Sequence, residues 1–327
     1  MTSSPRAPAS LGPTPSMLST AAPAKSVLTL VENAAAAPAD RLKACRELME
    51  TGRFGRAIRL LAGLLDDPAA RAEAQGLIAA CRELRAHDVG TGGLVEPVAE
   101  SDGRGYFYVS RGSDVTAMVF TGRARRVGVS VVLMQRLLEP LGCNIVVLYD
   151  WRDALYLGGV AGLGRGVGDT ARALARLSRS LGASRIVCVG QSTGGYGALR
   201  YGLELGAESV LAFSPLIRRP LNPRRREALS LRAGRPLDEA EVNLRQLWAQ
   251  SRITPRTTIV HGADNANDRR AAEELSARPG VTVRPLEGVG EHGVIQVLLA
   301  RGAFGAALGD GLGLSPQVRS AQATESA

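Results

Sequence analysis

Ser192 stands in the run "VCVGQSTGGYGALRYG", Val187 to Gly202, between Gly190 and Gly194, with an apolar segment before it and a helix-like one after it. A serine on such a turn is placed for nucleophilic attack. Side chains at 190 and 194 would collide with the strand and helix that a sharp turn brings together, and glycine avoids the collision. A hydroxyl is a weak nucleophile at neutral pH and needs a base to take its proton. The histidines are His87, His261 and His292. His87 ends a helical stretch and reads as a surface residue; His261 closes an apolar run and reads as structural. His292, in "LEGVGEHGVIQVLLA", follows the last strand-like run on a glycine-rich loop, where a base can reach the serine. The acid that orients it is expected in "HGADNANDRRAAEEL", which supplies Asp264 and Asp268. Register against Ala272 and Leu275 favours Asp264, with Asp268 as the alternative. The backbone N–H of Thr193, at the start of the next helix, points where an oxyanion would form. Asp150, at the end of another apolar run, reads as a helix cap or an ion-pair partner. No metal site and no cofactor is expected.

These residues need a scaffold that brings segments far apart in sequence to one edge. The run Tyr106 to Leu308 alternates strand-like and helix-like pieces: "YFYVS", "VTAMVF", "NIVVLYD", "RIVCVG", "SVLAFSP", "RTTIVHG" and "VTVRPLEG" read as strands, and helical patterns separate most of them. Short apolar runs without polar alternation suit strands buried on both faces, and strict alternation implies βαβ units around a mostly parallel sheet. Ligands then sit beyond the carboxyl ends of the strands, which is where Ser192 falls. The predicted organisation is a disordered leader over 1–36 and a helical hairpin over 37–88. A linker over 89–105 leads to an α/β domain over 106–310, with a small cap-like insertion at 215–255 and a disordered tail over 311–327. Three helices are predicted near 39–50, 54–66 and 69–86. The piece "GRFGRAIRLLAGLLDDP" resembles the middle of a tetratricopeptide repeat.

The strand–turn–helix context of "GQSTG", with Ser192, Asp264 and His292 in that chain order, resembles the α/β-hydrolase superfamily over roughly residues 105–308. "LYDWRDALYLGGVAGLG" strengthens a likeness to poorly characterised bacterial hydrolase-like proteins, some with helical-repeat N-termini. The resemblance implies a second oxyanion N–H after the third core strand; Thr121-Gly122-Arg123 occupies that place and makes Arg123 the candidate. No extended HGGG loop is present, which sets aside the branch resembling hormone-sensitive lipase. The implied activity is hydrolysis of an ester or thioester through an acyl-enzyme. An acyltransferase would use the same residues, and a non-catalytic interaction protein of hydrolase shape is the third reading.

Composition limits the partners. The 327 residues are 45% apolar and 4% aromatic, with a net charge of +9. Nearly all the positive charge is arginine, with only Lys25 and Lys43 as lysines, a pattern of GC-rich coding rather than of nucleic-acid binding. The one local cluster, "RRPLNPRRREALSLRAGR" over 218–235, would form a solvated face or an electropositive rim drawing an anionic, small-molecule or carrier-linked acyl substrate. The N-terminal helices would be the docking face for any protein partner. The cysteines Cys45, Cys81, Cys143 and Cys188 include no CxxC pair and suit reduced thiols. No stretch has the length of a transmembrane helix or a signal sequence, so a cytoplasmic protein is expected.

Overall fold

The computed structural model describes residues 36–50, 54–86, 103–217, 223–251 and 254–316. The expected leader apart from Ala36, the expected tail apart from residues 311–316, most of the expected linker, His87 and the first residues of the arginine run lie outside them. Among the described residues three helices come first: α1 (Pro38–Glu50), α2 (Phe54–Ala62) and α3 (Arg71–Ala86). Then follow β1 (Tyr106–Val109), β2 (Val115–Phe120), α4 (Val131–Leu138) with a 3-10 turn at Glu139–Leu141, β3 (Asn144–Leu148) and α5 (Val167–Ser180). Next come β4 (Arg185–Gln191), α6 (Thr193–Leu205), β5 (Ser209–Phe213), and the insertion helices α7 (Pro223–Ala233), α8 (Glu239–Val242) and α9 (Leu244–Gln250). The last described elements are β6 (Arg256–Gly262), α10 (Ala266–Ser276), β7 (Val281–Leu286), α11 (Val294–Ala300) and α12 (Phe304–Leu312).

The strands form one seven-stranded sheet in the order β1-β3-β2-β4-β5-β6-β7. β1 is antiparallel to β3, and every other pairing is parallel. All seven strand-like runs of the sequence are strands of this sheet, which has the expected mostly parallel α/β arrangement with flanking helices. Two-residue periodicity divides its side chains between two layers. Ala117 and Val119 of β2 join an apolar cluster with Val187, Val189, Leu211 and Phe213 on one face. Met118 and Phe120 join Val146, Leu148, Cys188 and Val210 on the other. The second layer is closed by α5, α6 and the insertion, whose Trp248 and Val242 are buried. All four cysteines are buried and free, and burial pushes the Cys45 and Cys143 thiols up to about 11 and Cys81 to about 12.

The first layer contains the N-terminal helices as well. Leu42, Cys45, Leu48, Phe54, Leu61 and Leu77 belong to one continuous cluster with Val294, Ile295, Leu298 and Leu299 of α11 and with the sheet. The crossing of α3 and α11 is so close that a Cβ on Gly76 would lie 1.8 Å from the Ala300 carbonyl oxygen. The hairpin is therefore packed into the main core and covers α11. A chain beginning at residue 101 should expose Leu298 and Leu299, where burying one such side chain is worth about 1.5–3 kcal/mol. We expect it to aggregate, or to melt about 10 °C or more below the full chain in a thermal scan; an unchanged midpoint would show that the helices are separable.

α7 has no counterpart in the predicted elements. Its segment, "PRRREALSLRA", buries only Leu229 and Ala233, so no apolar stripe announces it. Among the described residues no helix is long and apolar enough to cross a membrane, and no His, Cys, Asp and Glu side chains gather as a metal site.

Candidate active site

β4 runs out of the sheet centre and turns into α6 within one residue, Ser192. That residue has φ 57° and ψ −118°, a backbone conformation that costs a non-glycine residue roughly 1–3 kcal/mol. The turn is fixed on both sides. The Ser192 N–H donates to the Phe213 carbonyl at 3.0 Å, and the Ser192 carbonyl accepts from Tyr196 and Leu216. A Cβ at Gly190 would sit 2.2 Å from the Gly194 oxygen, and one at Gly194 would sit 2.1 Å from the Phe120 oxygen. These two glycines are required because strand, turn and helix backbones are in mutual contact.

His292 follows β7 on the loop before α11. Its Nδ1 lies 2.9 Å from both carboxylate oxygens of Asp268. Nδ1–H thus donates to the carboxylate, and Nε2 is left as the basic nitrogen. The hydrogen bond and the charge of Asp268 raise the imidazole above its ordinary 6.5, against a smaller opposing effect of burial. Asp268 is itself buried in the first turn of α10, where the N-terminal end of the helix favours a carboxylate. Asn265 caps that helix, accepting from the N–H groups of Asn267 and Asp268.

The sequence reading preferred Asp264 as this acid, and the structure does not bring it to the histidine. Asp264 is exposed, and its N–H donates to Val289 O, so it holds the loop by its backbone. The buried positions of α10 are Asp268, Ala272 and Leu275, one face of the helix, and the carboxylate that reaches His292 is the one that continues this face. His261 is buried with Nδ1 2.9 Å from the Gly262 oxygen, a structural histidine.

Ser192 and His292 stand on adjacent loops. Gln191 Nε2 donates to the His292 carbonyl at 3.3 Å, tying the residue before the serine to the histidine. The Gln191 amide oxygen packs against Gly128, where a Cβ would lie 2.0 Å from it. Among the described residues Ser192 Oγ makes no hydrogen bond to the imidazole; such bonds often tighten only around substrate. The sequence offered no signal for Gln191 beyond its place in the elbow.

The two expected oxyanion donors meet at one small cavity. Gly122, Arg123 and Thr193 line it together with Arg125, Asp150, Asp153 and Leu155, and its volume of about 10 Å³ is the room of one water. Among the described residues neither the Arg123 nor the Thr193 N–H is used in a backbone hydrogen bond outside a helix or strand. Arg125 holds the far wall in place. It donates to the Asp150 and Trp151 carbonyls and to Asp153, and its guanidinium lies 5.1 Å from the Trp151 ring centre. Asp150 caps the next turn, accepting from Tyr156 N–H at 3.0 Å, and burial pushes its carboxyl above the ordinary range.

No family model matches the chain, and no curated protein matches it. Solved structures similar to it include an α/β serine hydrolase without lid from Xanthomonas campestris, at 20% identity, covering 64% of this chain and 91% of that one with a TM-score of 0.41. An α/β-hydrolase enzyme from a metagenome of lagoon sediments at Mar Chica, Morocco, is 14% identical, covering 66% of this chain and 95% of its own, with a TM-score of 0.42. An esterase from the bacterial hormone-sensitive lipase family is 14% identical over 83% of this chain and 98% of its own, with a TM-score of 0.43.

Proposed function

We propose that the protein is a serine hydrolase of carboxylic esters or thioesters. Ser192 Oγ attacks the acyl carbonyl while His292 Nε2 takes its proton. Asp268 keeps the proton on Nδ1 and stabilises the imidazolium. The N–H groups of Thr193 and Arg123 receive the oxyanion, the first of them at the positive end of α6. The tetrahedral adduct collapses, His292 returns the proton to the leaving oxygen or sulfur, and water activated by the same nitrogen releases the acid. The observation that carries this reading is a strained serine on a strand-to-helix turn, linked through its neighbour Gln191 to a histidine held by a buried carboxylate.

Intact-protein mass spectrometry after exposure to a fluorophosphonate tests it. One covalent adduct per chain, located on Ser192, is the expected result. An unmodified chain would overturn the assignment.

The raised imidazole also sets a pH dependence. Neutral His292 is the base, so kcat/KM should climb with pH through a midpoint above 6.5. The sign for stability is opposite. A folded-state pKa above the unfolded one means that the His292–Asp268 pair stabilises the fold below pH ~6.5 and loses that contribution as pH rises through the folded value. Activity profiles and melts over the same pH series check both directions; a rising limb below 6.5 would contradict the pairing.

A further inference from the structure

Beyond the small oxyanion cavity lies a much larger one, of about 350 Å³, formed by the loop between β3 and α5. Its size is at the lower end of what encloses a small ligand. It opens on the carboxyl edge of the sheet and shares one wall residue, Asp150, with the cavity at Thr193 and Arg123.

Two features of this loop go beyond what chain connection requires. Asp153, Leu155 and Tyr156, which lie between the two segments of the loop that line the cavity, all have positive φ, at 51°, 56° and 61°, a concentration of strained non-glycine backbone that holds those segments in shape. The anchors that hold it are numerous: Arg125 and the Asp150 carboxylate from within, and from the insertion the Ala233 carbonyl, which accepts from Arg152 at 3.2 Å. The charge lining the cavity is also unbalanced. Arg152 and Arg165 line it and are exposed, and neither has an ion-pair partner among the described residues. The only carboxylate in the lining, Asp150, is turned to the Tyr156 N–H. The remaining walls are Trp151, Ala161, Leu163, the glycines around them and Tyr149, whose buried hydroxyl has no hydrogen-bond partner among the described residues.

We propose that this cavity binds the anionic end of the substrate, a carboxylate or phosphate on the molecule whose acyl carbonyl lies at Ser192, with Arg152 and Arg165 as counter-charges. The inference rests on the hydrolase reading for its substrate, and the anion site itself is tested separately. Guanidinium groups suit both oxyanions through paired N–H donors.

Two pairs of esters distinguish where the charge is carried. In one, the acyl side differs: mono-4-nitrophenyl glutarate against 4-nitrophenyl pentanoate. In the other, the leaving group differs: 4-(butyryloxy)phenyl phosphate against 4-(butyryloxy)toluene. In at least one pair the anionic ester should have a kcat/KM about 10- to 100-fold higher, the range of a charge-assisted contact. Arg165→Gln should reduce that ratio about tenfold, and the double change with Arg152→Gln should bring it near unity. Arg165 makes no hydrogen bond to the protein among the described residues, so its replacement leaves the fold without a lost contact. Ratios near unity in wild type, or ratios unmoved by the arginine changes, overturn the proposal. Thermal shift of Ser192→Ala by glutarate and phenyl phosphate, with and without Arg165→Gln, reads binding without turnover. If no ester is hydrolysed but the anion shift persists and depends on Arg165, the hydrolase reading fails and the anion site stands. An absent shift, or one independent of Arg165, sinks the site whatever the activity.

Discussion

Alanine at position 192 should abolish fluorophosphonate labelling and lower hydrolysis of an activated ester by three orders of magnitude or more. The loss is large because, on the proposed mechanism, the serine oxygen forms the covalent bond and no neighbouring group takes its place without the acyl-enzyme route being lost. What remains would be the rate due to binding and the oxyanion donors. The fold should survive. Ser192 and alanine both carry a Cβ, so the cost of φ 57° is the same in the two proteins, and the backbone bonds to Phe213, Tyr196 and Leu216 do not involve the hydroxyl. Ser192→Gly makes the complementary measurement. It should be equally inactive but more stable than Ser192→Ala, since glycine relieves the positive φ. An alanine variant that labels as fast as wild type would move the nucleophile elsewhere.

The acid gives the second large effect. Asp268→Asn should cost about 10³- to 10⁴-fold in kcat, while Asp264→Asn should stay within about twofold of wild type. An asparagine amide at 268 can donate to Nδ1 and so favour the tautomer with its proton on Nε2, the one that cannot accept from serine. The residual activity should also show its rising limb at lower pH than wild type, because the carboxylate that raises the imidazole is gone. Asp264 contributes its backbone N–H to Val289, and asparagine keeps that bond. Equal losses at the two positions would detach Asp268 from the chemistry and leave the His292 contact a structural ion pair.

The scaffold was the most legible part of the chain. Strands buried on both faces appear as apolar runs such as "RIVCVG" and "RTTIVHG", and these need no knowledge of their neighbours to be recognised. The elbow was legible for a related reason: Gly190 and Gly194 answer a local steric demand that the sequence states directly. The choice between Asp264 and Asp268 depended instead on where α10 begins. Ala272 and Leu275 were the correct guides, but the acid in register with them is the residue four before Ala272, on the same face; a loop position eight residues before it has no fixed relation to that face. Asn265, a good capping residue three before Asp268, marked the helix start. α7 was hidden because arginines occupy the positions where an apolar stripe would reveal a helix. The packing of the N-terminal hairpin was invisible for another reason. Its apolar face says that something covers it, and nothing local says that α11 does.

That last contact has a consequence in time. Ala300 follows Gly76 by 224 residues, so at about 5–20 residues per second the helices leave the ribosome some 10–45 s before the segment they cover. During that interval Leu42, Leu48, Leu61 and Leu77 lack the surface on which they finally rest. The nascent chain therefore carries a sticky early segment whose match is nearly the last piece made, and holding chaperones have a natural client in it. On the proposed mechanism the same delay separates the two partners of the reaction: His292 lies just ahead of α11, so a chain stalled before it would hold Ser192 without its base.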